Sequence, residues 1–252
     1  MSTTAPALSV RGLSKSFGAL AVAQSIDLDI EPGARLGLIG PNGAGKTSFV
    51  NLLTGMLRAD SGDIVLNGED ITGLKPEARV RRGLARTHQI NTLLMETSLR
   101  DNVAIAVAER ESFAWRFLRF TPQWRRCIAE AEGQLAALGI AELADRTVRE
   151  LPYGQQRLLE IAIALVLKPR VLLLDEPAAG VPATEAHAIH AALDKLPADI
   201  AILMIEHDMD LVFRFARRIA VLVQGRVLTT GTPREIAADP QVRAVYLGRS
   251  AA

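Results

Sequence analysis

Short apolar runs bounded by glycine and proline open the chain: Leu8 to Val10, Ile26 to Ile30, and Leu36 to Ile39. Aliphatic and β-branched runs of this length between turn residues predict strands, the third ending at a glycine-rich turn. From Lys46 to Leu53 the period changes, with Phe49, Val50, Leu52 and Leu53 at helical spacing. Asp60, Ser61 and Gly62 then mark a turn before another short strand, Ile64 to Leu66. The chain therefore starts as strand, loop, helix, strand.

Between about Leu99 and Leu143 the pattern becomes long helical periodicity with few β-branched runs, which predicts a helical insertion. After Gln155 a strongly periodic helix leads through Pro169 into the apolar strand Val171 to Leu174. A helix from about Thr184 to Leu196 follows, and then the strand Ile200 to Ile205. Buried strands alternating with helices argue for an α/β fold with a parallel sheet.

A chain of 252 residues can bury a full core, as one α/β unit or a main domain with a smaller subdomain. Its 29 Lys and Arg against 28 Asp and Glu leave a net charge of +1, so no global field points to nucleic acid as partner. The single cysteine, Cys127, offers neither an intrachain disulfide nor a paired metal spacing, which suits a reducing compartment. Met1 to Ala7 does not read as a signal peptide, and the expectation is a chain kept in the cytosol. No apolar run approaches the ~20 residues needed to span a bilayer, so work at a membrane would go through a partner.

Gly40-Pro41-Asn42-Gly43-Ala44-Gly45-Lys46-Thr47, with Ser48 after it, fits a phosphate-binding loop and sits between a strand and a helix, as such a loop must. Glycines let backbone N–H groups surround phosphate oxygens, the helix N-terminus adds positive potential, Lys46 neutralises charge, and Thr47 offers a hydroxyl to Mg²⁺. Val171-Leu172-Leu173-Leu174-Asp175-Glu176 is an apolar strand ending in two carboxylates at the edge where parallel sheets bind ligands. Asp175 would belong to the Mg²⁺ shell, and Glu176 would polarise the water that attacks the γ-phosphate.

A kinase, a GTPase or another P-loop motor would share those two motifs. Leu151-Pro152-Tyr153-Gly154-Gln155-Gln156-Arg157 narrows the choice, because it opens a helix upstream of Asp175 whose amides can face a phosphate. Here the chain resembles the ABC ATPase family, whose Leu-Ser-Gly-Gly-Gln signature stands at this place. The resemblance covers Leu8 to Leu247 and looks closest to the ATP-binding subunits of branched-chain amino-acid importers. Segments carrying the closer match include Gly68-Glu69-Asp70-Ile71-Thr72-Gly73, Asp175-Glu176-Pro177-Ala178-Ala179-Gly180 and Tyr246-Leu247-Gly248.

The resemblance implies an ABC-type nucleotide-binding domain: a mostly parallel sheet core, an N-terminal antiparallel β subdomain and a helical subdomain. On that pattern residues 1–90 and 157–252 form the core and about 91–156 the helical part of a single domain. It assigns Phe17 to adenine stacking, Gln89 to Mg²⁺ and water, His207 to the γ-phosphate as the switch histidine, and Tyr153, Gly154 and Gln155 to a nucleotide held by a second subunit. With Lys46, Glu176 and His207 as catalytic residues, it implies Mg-ATP hydrolysis. The implied partners are an identical or paralogous ATPase subunit in a head-to-tail dimer, membrane permease subunits and, indirectly, a solute-binding protein, at the inner face of the cell membrane.

Four positions depart from the family pattern. Pro152 replaces a serine hydroxyl, Pro182 stands where Asp or Asn is usual, and His88 and Ile90 flank Gln89 in place of Phe and Asn. Phe113 to Phe120, with Trp115, and then Trp124, Arg125 and Arg126 gather aromatics and arginines in the insertion, where aromatic packing with arginines at the rim is the expectation. Urea or another small solute is an alternative cargo. A soluble ABC ATPase acting on ribosomes or DNA is a different class, opposed by the single P-loop and the lack of sustained heptads. A purely regulatory ATP-binding module is the third.

Overall fold

The computed structural model describes residues 5–87, 93–112 and 121–247. In chain order its elements begin β1 (Leu8–Phe17), β2 (Leu20–Ile30), β3 (Arg35–Ile39), α1 (Lys46–Thr54), β4 (Ser61–Leu66), β5 (Glu69–Asp70), α2 (Pro76–Arg81) and β6 (Leu84–Arg86). They continue α3 (Leu99–Arg110), α4 (Pro122–Ala137), α5 (Tyr153–Val166), β7 (Val171–Asp175), α6 (Ala183–Asp194) and β8 (Ala201–Ile205). The last are α7 (Met209–Phe215), β9 (Arg218–Val223), β10 (Arg226–Gly231), α8 (Pro233–Ala238) and α9 (Pro240–Leu247). Two compact units emerge: the described parts of Met1–Leu84, Arg170–Glu176 and Ala198–Ala252, and those of Ala85–Pro169 and Pro177–Pro197.

The first unit holds two sheets. One is antiparallel, in the order β2-β1-β4-β5. The other runs β10-β9-β3-β8-β7, in which β9, β3, β8 and β7 are mutually parallel. Every residue of β7 and β8 is buried, as expected of strands covered on both faces. β2 instead alternates, with Ile26, Leu28 and Ile30 inward and Asp27 and Asp29 outward. The apolar face of α1, Phe49, Val50, Leu52 and Leu53, shares one core with residues of both sheets.

The first two strands are longer than the apolar runs predict. β1 carries register shifts between Val10 and Leu13 and again to Lys15 and Ser16, so inward and outward positions stop alternating and the strand signal is lost after Val10. α1 ends at Gly55, and the buried Arg79 guanidinium of α2 donates to the Leu52 and Leu53 carbonyls at 2.8 and 2.7 Å. A cation on the last carbonyls complements the helix dipole and anchors the helix that follows the glycine-rich loop.

The second unit contains α3, α4, α5 and α6. Ser98 and Thr121 cap α3 and α4 by accepting the Asp101 and Trp124 amides. Trp124 and Cys127 are buried on α4 while Arg125 and Arg126 face out, so this tryptophan packs as expected. Trp115 lies outside the described residues.

Candidate functional site

Register explains why three separated motifs meet in the first unit. β3 pairs Leu38 with Ile205 of β8, and β8 pairs Ile205 with Asp175 of β7. Because the strands are parallel, the loop after β3, the carboxylates after β7 and the histidine after β8 leave the sheet at one edge. That is the edge where open α/β sheets take ligands.

The glycine loop is shaped by close backbone approach. A Cβ on Gly40 would lie 2.1 Å from the Leu222 carbonyl oxygen, and one on Gly45 would lie 2.4 Å from that of Val22. Gly45 also has φ of 101° and caps α1 without any side-chain hydrogen bond, which leaves the first amides of the helix to an anion. Lys46 donates from Nζ to the Gly40 and Pro41 carbonyls at 2.6 and 3.1 Å. Burial pulls its ammonium below the ordinary lysine value, while the Glu176 and Asp175 charges push it back up. A lysine resting on carbonyls, a helix end without a cap and a buried carboxylate at Asp175 are the donor set that a magnesium nucleotide requires. Thr47 is exposed and Ser48 half-buried on the first turn of α1, and Asn42 is exposed in the loop.

Glu176 has φ of 47°, a left-handed conformation that costs a non-glycine residue about 1 to 3 kcal/mol. Its N–H donates to the Ile205 carbonyl at 2.9 Å, which ties the strained residue to β8. His207 Nδ1 lies 3.7 Å from Glu176 Oε1 and 3.9 Å from Glu206 Oε2, and the His207 N–H donates to Glu206 Oε2 at 3.1 Å. Glu206 is buried and the His207 ring is mostly exposed, so the ring is held at its base and free at its tip.

Phe17 stands at the tip of the β1–β2 hairpin, 52% exposed, with Lys15 Nζ 5.5 Å from its ring centre. A core role is thereby excluded. Gln89, His88 and Ile90 lie outside the described residues. Tyr153, Gly154 and Gln155 open α5 in the second unit, with Pro152 as its first flanking residue and no side-chain cap from it. The Tyr153 hydroxyl meets the Arg157 guanidinium, which also pairs with Glu160 at 2.7 Å. The Gly154 N–H donates to Glu185 Oε2 of α6 at 2.8 Å.

Sequence reading missed three of these residues. Glu206 carries no signal of its own beyond standing before the histidine. Tyr246 was noted only as part of a closing motif, but its phenol hydrogen-bonds the Gly40 backbone, and burial lifts it above its usual value. Glu185 carried no signal beyond an acidic residue in a first helical turn.

The ABC transporter family model matches residues 23–179, a stretch holding the glycine loop, the α5 N-terminus and the β7 carboxylates. A second model, the branched-chain amino acid ATP-binding cassette transporter, matches residues 226–252. The high-affinity branched-chain amino acid transport ATP-binding protein BraF of Pseudomonas aeruginosa is 39% identical over 97% of this chain and 99% of its own. LivG of Escherichia coli, of the same description, is 39% identical with the same coverage, and the lipopolysaccharide export system ATP-binding protein LptB of Acidithiobacillus ferridurans is 36% identical over 96% of each chain. The crystal structure of the ADP conformation of an ATP-binding cassette of an ABC transporter superposes with a TM-score of 0.85 at 29% identity, covering 97% of this chain and 100% of that one. Fold, motif order and relatives agree: the chain belongs to the ABC transporter family, as a nucleotide-binding subunit that hydrolyses ATP.

Proposed function

We propose that this subunit powers import of branched-chain amino acids through membrane permease subunits, from the inner face of the membrane. The match over residues 226–252 and the BraF and LivG relatives support that cargo. Among the described residues no helix is long and apolar enough to cross a membrane, so in this reading the path for solute belongs to partners. The two units act as one cassette, and two cassettes pair head to tail, the α5 N-terminus of one facing the nucleotide of the other.

The observation that carries the reading is the meeting of Lys46, Asp175, Glu176 and His207 at one sheet edge, with His207 3.7 Å from Glu176. The loop amides and Lys46 hold the β- and γ-phosphates of ATP, and Phe17 stacks on the base. Thr47, Asp175 and Gln89 would hold Mg²⁺, which supplies charge neutralisation between the phosphates. Glu176 accepts a proton from the attacking water, and His207 donates toward the γ-phosphate. Positioned proton transfer of this kind is worth about 10²- to 10⁴-fold in rate.

ATPase rate against subunit concentration tests both parts. A superlinear rise is expected, with Glu176→Gln slower by about 10²-fold or more while still binding ATP. Normal turnover by that variant would sink the catalytic assignment. With the cognate permease and binding protein in vesicles, leucine, isoleucine or valine should stimulate hydrolysis. Stimulation by urea or a lipopolysaccharide instead would reassign the cargo.

A further inference from the structure

α5 and α6 meet at the Gly154 N–H. Pro152 flanks α5 and has no side chain that can cap it, so the Gly154 N–H, one of the unpaired donors of the first turn, needs an acceptor from elsewhere. Glu185 supplies it at 2.8 Å. The fit is close, because a Cβ on Gly154 would stand 2.6 Å from Glu185 Oε2 and 2.9 Å from Glu185 Cβ.

The reason Glu185 is available lies in its own helix. It holds the third position of α6, from which a glutamate normally reaches back to the N–H of the residue flanking the helix. α8 has that arrangement: Glu235 Oε2 accepts the Thr232 N–H at 2.7 Å. At α6 the flanking residue is Pro182, which has no N–H to offer. The proline at the departure from the family pattern therefore turns the Glu185 carboxylate outward to α5.

We propose that Glu185 is a latch on the signature helix: its carboxylate occupies the Gly154 N–H and has to leave before that helix end can take a phosphate. The proposal rests on the reading that α5 faces the nucleotide of a second subunit. A carboxylate and a phosphate compete for one donor and repel each other, so the latch raises the ATP concentration needed for pairing. Its neutral amide counterpart would hold the same N–H without the repulsion.

The test uses the full chain in a Glu176→Gln background, measuring the ATP concentration for half-maximal dimerisation by light scattering. Glu185→Gln and Glu185→Ala are expected to lower it by about three- to tenfold, the scale of one net hydrogen bond. A rise in both variants, larger for alanine, would mean that Glu185 braces the helix for phosphate, and would overturn the latch. Amide hydrogen exchange across residues 153–155 reads the bond in the isolated subunit, where Glu185→Ala should speed exchange. Equal exchange in the parent and in Glu185→Ala overturns the latch whatever the dimer does. Failure of Glu176→Gln to dimerise at any ATP concentration overturns the two-copy reading, and the latch with it.

Discussion

The N-termini of α1 and α5 begin from the same local chemistry and end in opposite states. Gly45 flanks one and Pro152 the other, and neither supplies a side-chain cap. At α1 the nearby cation, Lys46, turns onto the Gly40 and Pro41 carbonyls, and the carboxylates of Asp175 and Glu176 come from a different strand. At α5 a carboxylate sits directly on the Gly154 N–H. An uncapped helix end is an anion site by default. Whether it is open or filled is decided by what another element places in front of it.

The open end is the easier to break. In Gly45→Ala the new Cβ meets the Val22 carbonyl oxygen at 2.4 Å and must adopt φ of 101°, and neither obstacle is a flexible side chain. ATP affinity should fall about a hundredfold, as ångström-scale misplacement of a site does. A titration giving parental affinity would show that the loop does not need that close approach.

At the filled end the nearest obstacle is a movable carboxylate, with the Glu185 Cβ behind it, so the effect is smaller and conditional. Gly154→Ala should destabilise the protein to urea by about 1 to 3 kcal/mol through overpacking. Adding Glu185→Ala should remove the part of that loss due to the carboxylate, a coupling of about 0.5 to 3 kcal/mol. Strict additivity of the two changes would mean that the glycine answers to Val181 or the backbone rather than to Glu185.

The smallest effect sharpens the comparison. Pro152→Ser returns a hydroxyl that can accept the amides of the first α5 turn, and should stabilise by about 0.5 to 1 kcal/mol. Because that hydroxyl competes for Gly154, the shift caused by Glu185→Gln should shrink in its presence. An undiminished shift would separate the latch from capping.

Much of this molecule was legible before its structure. The glycine loop, the apolar β7 strand with its two carboxylates, and the histidine after β8 each follow a local rule: turn chemistry, burial on both faces, position at a strand end. The strand that was misjudged broke such a rule. β1 continues past Val10 to Phe17 through register shifts that erase alternation. Phe17, assigned to adenine stacking by the resemblance, is exposed because the hairpin carries it beyond the packed sheet. Pro182 departs from the family pattern at its own position, yet the residue it bears on is Glu185.

The sequence by itself determined that a glycine-rich phosphate loop, an apolar strand ending in two carboxylates and a histidine after a strand exist, because each is encoded within a few consecutive residues. Only the tertiary structure decided that Asp175, Ile205 and Leu38 stand in register, that Glu206 lies buried beneath His207, and that Glu185 covers Gly154. Apart from the neighbours Glu206 and His207, the residues of these pairs come from different elements, far apart in the chain. Their proximity follows from strand pairing and helix packing, which no local pattern of residue types records.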